Sequence, residues 1–412
     1  MRRNAFALRD GHHLALLEGG QAFFPALVRA IDASEREVHL ETYIFNWDVS
    51  GQAVAGALAR AAARGVQVRV VMDGAGTQAL PDVWVGRFQE AGVQWHIYEP
   101  MGSLGWFLPS RWRRLHRKLC VVDQHIAFCG GINVLDDFVD PKHGVLSSPR
   151  VDYAVQVTGP LVGMAHEVVS QFWWRLQATY SIRERQFPRA WTELKTSLRR
   201  VRDQPVVPAP APVPAAPALP TSVRAGLLLR DNLRHRTRIE RAYRKAIGEA
   251  RREILIANAY FLPGVRLRKA LIHAALRGVR VRVMLQGRYE YFLQYHATRP
   301  AYGALLAAGV EIVEYADSFL HAKVAVIDGH WATVGSSNLD PLSLLMAREA
   351  NVVVDDTAFA SDLQQRLERA MSVGGRTVDA AGYERRPWPD RLLSWLAYGL
   401  MRLMLFITGK RY

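Results

Sequence analysis

At 412 residues, half of them hydrophobic, the chain is too long for one ordinary core and predicts about two domains with packed interiors. Its formal net charge of +15 calls for an anionic partner: nucleic acid, an acidic membrane surface or a phosphate-bearing substrate. With two cysteines, no zinc spacing and no HxH or HExxH cluster among thirteen histidines, neither a metal nor another cofactor is expected.

The N-terminus is interrupted by Arg9, Asp10, His12 and His13 before any apolar stretch builds, which fits neither a signal peptide nor a leading membrane span. The protein is therefore expected on the cytoplasmic side. From Leu14 to about Val157, helix and strand patterns alternate. Phe23 to Ala33 reads as a helix and Glu37 to Phe45 as a strand. Ala-rich Ser50 to Arg64 reads as a helix stopped by Gly65, and Val66 to Met72 as a buried strand. This βαβ patterning predicts an α/β fold with a mixed or mostly parallel sheet flanked by helices.

Next comes His116-Arg117-Lys118, with Asp123, Gly130, Gly131 and Asn133 at fixed offsets. Alternate side chains on a strand share a face, so His116 and Lys118 point the same way, whereas Asp123 sits at odd spacing and suits a structural role. Cys120 and Cys129 lie in the same apolar strands. They could face each other across a hairpin, but read as reduced core thiols. Tyr153 to Val157 closes the first half as a strand. Leu161 to Thr179 follows as an amphipathic helix whose Phe172, Trp173 and Trp174 read as core or domain interface.

Residues 204–222 are dominated by Pro, Ala and Val and read as an extended connector. The first half is then replayed. Glu253 through Phe261 matches Glu37 through Phe45, and Arg277-Gly278-Val279 matches Arg64-Gly65-Val66. His321, Lys323, Asp328, Gly335 and Asn338 repeat the motif at identical spacing. The chain is thus a duplicated domain: residues 1–180, a connector over 181–222, and a second copy over 223–385. One departure bears on the pocket, since Gly131 stands where the second motif has Ser336.

The tail, 386–412, is apolar but short of a span and broken by Arg402. On a helix, Arg391, Ser394, Tyr398 and Arg402 share one narrow face. This suits a helix lying in a lipid interface, or one packed on the protein or on a dimer partner. Trp106 to Arg114, and Gly287 to Phe292, mix aromatic and basic residues. They could meet lipid or stack on bases, and the second could equally be plain solvated surface.

The paired motifs resemble the signature of the phospholipase D superfamily. The resemblance implies two similar domains meeting at a pseudo-twofold interface, with one phosphodiester between His116, Lys118 and Asp123 of the first motif and His321, Lys323 and Asp328 of the second. Asn133, Ser336 and Asn338 would support the phosphate. Glu349, just after the second motif, resembles the family's His-orienting carboxylate, and Asp152 is its nearest counterpart in the first half. Such a site needs no metal. One imidazole attacks phosphorus and the other protonates the leaving alkoxide, while lysine and asparagine groups hold the nonbridging oxygens. By similarity His116 is favoured as nucleophile and His321 as acid/base, although the near-symmetry of the motifs leaves the order open.

Within the superfamily, Glu41 to Phe45, Ala259 to Pro263, Ala127 to Asn133, Ser337 to Ser343 and Glu349-Ala350-Asn351 look like bacterial cardiolipin synthases, the B-type in length and start. That branch implies a phosphohistidine path joining two phosphatidylglycerol molecules at an anionic phospholipid membrane, with the protein peripheral on its cytoplasmic face and no nucleic acid partner. A phospholipase D hydrolase and a superfamily nuclease are the alternatives.

Overall fold

The computed structural model describes residues 7–77, 79–100, 113–183, 222–231, 235, 237–289, 292–340 and 347–407. The connector over 204–221 and most of the aromatic-basic stretch 106–114 lie outside them.

The first lobe begins with β1 (Arg9–Glu18), α1 (Gly19–Asp32), β2 (Glu37–Thr42), α2 (Val49–Ala63), β3 (Gln67–Asp73), α3 (Asp82–Ala91) and β4 (Gln94–Tyr98). It continues with β5 (Arg114–Leu115), β6 (Lys118–Val122), β7 (Ile126–Gly130), the small hairpin β8 (Val139–Asp140) and β9 (Gly144–Val145), then β10 (Tyr153–Thr158) and α4 (Leu161–Arg183). The second lobe runs β11 (Val223–Arg230), α5 (Arg238–Glu249), β12 (Glu253–Asn258), α6 (Val265–Leu276), β13 (Arg280–Gln286), α7 (Phe292–Leu306) and β14 (Glu311–Tyr315). Then follow β15 (Lys323–Ile327), β16 (Trp331–Gly335), β17 (Ala347–Asp355), α8 (Thr357–Gly374), β18 (Gly375–Thr377), α9 (Ala380–Glu384) and α10 (Trp388–Ile407).

Strand order makes the duplication explicit. The first lobe orders its sheet β1-β10-β7-β6-β2-β3-β4, and the second orders its own β11-β17-β16-β15-β12-β13-β14, with β18 added at the edge. In each, three strands are parallel and the rest antiparallel, so the sheet is mixed. β1 pairs with β11 and makes one continuous sheet of both lobes. Local sequence explains the helix ends. Asp48 caps α2 by accepting from the Gly51 amide, and Asp356 caps α8 from the Phe359 amide. Gly65 and Gly278 then turn each chain into its next strand at φ +91° and +87°, which glycine reaches without strain.

Each lobe keeps an outer core between its sheet and helices, such as Leu27, Val54, Leu58 and Phe88 in the first. A third core is shared. Leu119, Val121 and Cys129 of one lobe pack with Val324, Val326 and Val352 of the other, beneath α4 and α8. The cysteines do not face each other. Cys129 pairs with Leu119 and Cys120 with Phe128, so one thiol enters the shared core and the other the outer core. Both are free and buried, and burial pushes the Cys129 thiol up to about 12.

α10 packs its Ala397 and Met401 against Leu262 and Ala297. Part of the polar stripe read from the sequence faces the protein, since Ser394 is buried and Tyr398 half-buried. The opposite side of the helix exposes Trp388, Leu392, Trp395, Leu396, Leu400 and Leu403. Among the described residues, no helix is long and apolar enough to cross a membrane.

Candidate active site

Each motif histidine directly precedes the strand that carries its lysine, at the end of the sheet where the parallel strands finish. What fixes the histidines is the opposite lobe. β5 pairs in parallel with β17, and the His116 amide donates to the Arg348 carbonyl at 3.1 Å. Symmetrically, Val151 bridges Leu320, and the His321 amide donates to the Val151 carbonyl at 2.8 Å.

The rings cross over as well. His116 Nδ1 lies 3.0 Å from Glu349 Oε1, and His321 Nδ1 lies 2.6 Å from Asp152 Oδ2. Sequence order places each carboxylate beside its own motif, but in space each serves the other. Both are almost fully buried. Burial works against the Glu349 carboxylate, yet His116, Lys118 and the Ser336 hydroxyl hold its pKa below the usual range. Ser336 Oγ donates to Glu349 Oε2 at 2.5 Å. Asp152 has no such hydroxyl, and burial pushes it up to about 6. The Gly131/Ser336 difference follows from this geometry: a Cβ at Gly131 would collide with the Asp152 carboxylate.

Burial lowers the proton affinity of both imidazoles, and for His321 the nearby Lys323 and Lys118 ammonium groups lower it further. Lys118 itself is brought down to about 7 by burial and by Lys323. The four groups of the two motifs therefore share one electrostatic environment. Each lysine donates to the backbone carbonyl of its own histidine, Lys118 to His116 at 2.8 Å and Lys323 to His321. Asn133 accepts the Ile44 amide through Oδ1 at 3.1 Å, which aims its NH₂ end away from that loop. Asn338 Oδ1 is buried without a hydrogen-bond partner among the described residues.

Asp123 and Asp328 do not join this group. They sit beyond the far ends of β6 and β15, at φ +50° and +53°, and their carboxylates bind three backbone amides each: Glu35, Arg36 and Glu37 for Asp123, and Arg251, Arg252 and Glu253 for Asp328. Their place in the catalytic set is thus corrected to a turn clamp, as their odd spacing suggests.

Tyr43 belongs at the site although no spacing argument selects it. Its ring lies 4.9 Å from that of His116, and Lys118 Nζ lies 5.3 Å from its centroid. Gly76 makes the room, because a Cβ there would strike the tyrosine ring. Beside the motif, buried Arg117 forms a bidentate pair with Glu41, a feature absent from the second lobe, where Ala322 follows His321. Away from the site, Glu37 bonds both His39 and His166. Arg69 adds a positive charge 3.5 Å from His39, which opposes a divalent ion in that cluster.

Two repeated lobes, each lending a His-Lys pair to a joint site and a carboxylate to the other's histidine, define a phospholipase D-like phosphodiester-transfer enzyme. The sequence profile of the family described as "Cardiolipin synthase, PLD-like domain" matches residues 27–142 and 243–371. Cardiolipin synthase B of Escherichia coli K12 is 36% identical over 97% of this chain and 90% of its own length. Cardiolipin synthase A of Pseudomonas putida is 32% identical over 86% of this chain and 68% of its own. A crystal structure of phosphatidylserine synthase from Haemophilus influenzae shares the fold, with a TM-score of 0.67 and 12% identity, covering 97% of this chain and 96% of that one. The chain belongs to the phospholipase D-like cardiolipin synthase family.

Proposed function

We propose that this protein transfers a phosphatidyl group from one phosphatidylglycerol to another, making cardiolipin and releasing glycerol through a phosphohistidine. The single observation that carries this reading is the crossed pairing of His116 with Glu349 and His321 with Asp152 around Lys118 and Lys323. Since Nδ1 of His116 is taken by Glu349, Nε2 is the nitrogen left to attack phosphorus. The P–O bond to glycerol breaks as the N–P bond forms, and His321 gives its proton to the departing oxygen. The hydroxyl of a second phosphatidylglycerol then attacks, His321 takes that proton back, and the N–P bond breaks.

In the resting site both imidazoles lean towards the neutral form. An arriving phosphodiester offsets the two ammonium charges that repel a proton from His321, so substrate itself readies the acid. Lys118, Lys323, Asn133 and Asn338 hold the nonbridging oxygens, and Ser336 acts through Glu349. Peripheral attachment to the cytoplasmic face of an anionic bacterial membrane rests on the exposed apolar side of α10 and the net charge of +15.

Mass spectrometry of lipids after incubation with phosphatidylglycerol vesicles tests the reaction. Cardiolipin and glycerol should appear together, and His116→Ala and His321→Ala should each abolish both. Phosphatidic acid as the main product would replace transferase by hydrolase.

A further inference from the structure

The exposed apolar side chains are not scattered. The active site lies where β2, β3, β12 and β13 end, and the helices following those strands start at that end. Val49 opens α2 at 81% exposure, and Val83, in the first turn of α3, is 64% exposed. Val145, in the β8–β9 hairpin between Asn133 and Asp152, is 85% exposed. In the second lobe, Val265 opens α6, and Tyr289 follows β13 on the same side. α4 and α8 run back from the far end, so exposed Ile182 and Val373 near their C-termini reach it too. α10 docks through Leu262, four residues past the end of β12, which brings its apolar ridge to this rim. Of the large apolar side chains exposed among the described residues, only Met164 and Leu276 lie at the opposite end.

Single exposed apolar residues are ordinary; their collection around one opening is not. Exposed cations are interleaved with them: Arg87 beside Val83, Lys142 beside Val145, Arg266 and Lys269 beside Val265, and Arg391 and Arg402 on α10. An apolar rim with cations set among it matches the boundary between anionic headgroups and acyl chains.

We infer that both lobes, and not the C-terminal helix alone, form a ring that seats the mouth of the active site flat on an anionic bilayer. The inference rests on the transferase reading for the identity of the surface. It adds that Val49, Val83 and Val145 of the first lobe touch lipid. In this pose a lipid headgroup reaches His116 and His321 by rising a short way from its own leaflet, and its acyl chains never cross water.

Because Cys120 and Cys129 are buried, single introduced cysteines can carry an environment-sensitive fluorophore. With full-length protein and vesicles of phosphatidylglycerol in phosphatidylcholine, probes at Val49→Cys, Val83→Cys and Val145→Cys should shift to the blue and become shielded from aqueous iodide. A probe at Leu276→Cys should remain quenchable. Shielding at Leu396→Cys with none at the three valine sites would overturn the ring in favour of a lone helix anchor, and equal shielding at Leu276→Cys would overturn the orientation. Cardiolipin is assayed in the same samples. Shielded probes without product would sink the transferase reading and leave the ring standing, whereas product with three quenchable valine sites would do the reverse.

Discussion

Glu349 of the second lobe holds His116 of the first at 3.0 Å, so neither half of the duplicated chain contains a complete catalytic histidine unit. The carboxylate fixes the ring's tautomer and favours its charged form during transfer. Glu349→Gln and Asp152→Asn should each lower kcat on the order of 10²- to 10⁴-fold, the range of a general acid-base contribution. They should differ in kind. With His116 as nucleophile, Asp152→Asn slows loss of the covalent phosphatidyl group as well as its formation, so enzyme incubated with phosphorus-labelled lipid and quenched in alkaline denaturant, which spares the acid-labile N–P bond, retains label on His116. Label on His321 instead would reverse the two roles.

That relationship marks the limit of sequence reading here. The motifs, the duplication and the helix stops at Gly65 and Gly278 are local patterns, and each lies where its spacing places it. The pairing of Glu349 with His116 spans 233 positions and depends on how two sheets join, which no periodicity encodes. Tyr43 escaped for a related reason: it sits in a loop, and only folding brings its ring against His116. A faint signal existed in the likeness of Glu41 to Phe45 to a known branch, but likeness without chemistry assigned no role. The odd spacing of Asp123 and Asp328, by contrast, already told of a place outside the site.

Lys118 gives the site a pH signature. With its pKa near 7, it loses its charge, and with it a phosphate ligand, as pH rises through neutrality. Asp152, at about 6, gains a proton as pH falls and loosens its hold on His321. kcat/KM reports the free enzyme, so it should peak between those values and fall on both sides. Lys118→Arg keeps a positive charge at every accessible pH, so the alkaline limb should move up by roughly one unit or more, whatever the cost in kcat. An alkaline limb that stays in place would assign it to another group.

Tyr43 lies with its ring tilted against that of His116, the nucleophile in the proposed reaction. Removing the ring should let water reach the intermediate, since choosing an alcohol over water needs a site that excludes water. Tyr43→Ala should raise the share of phosphatidic acid among products, and Tyr43→Phe should restore the wild-type ratio. A general structural lesion would slow both products alike. An unchanged ratio in Tyr43→Ala removes the tyrosine from partitioning.

Gly131 and Ser336 occupy one motif position and should fail differently. Gly131→Ser pushes a side chain into the Asp152 carboxylate, and overpacking of this kind costs roughly 1–3 kcal/mol in addition to displacing the partner of His321. Ser336→Ala removes one hydrogen bond to a charged group that keeps His116 as its other partner. The serine variant at 131 should be nearly inactive, and the alanine variant at 336 should keep measurable turnover. Steady-state rates normalised to folded protein separate the two effects.

The motif aspartates invite the opposite test. Asp328 sits in a left-handed turn, a conformation that aspartate and asparagine tolerate better than alanine, and its carboxylate gathers the Arg251, Arg252 and Glu253 amides. A hydrogen bond to a charged group is worth roughly 1.5–3 kcal/mol, and the open position of this turn favours the lower end. Asp328→Ala should therefore lower the melting temperature clearly, Asp328→Asn less so, and kcat per folded molecule should stay near wild type in both. Asp123 should behave alike in the first lobe, where it clamps the start of β2. If melting is unmoved while kcat collapses, the aspartate acts in the chemistry after all, from a distance that none of the contacts among the described residues accounts for.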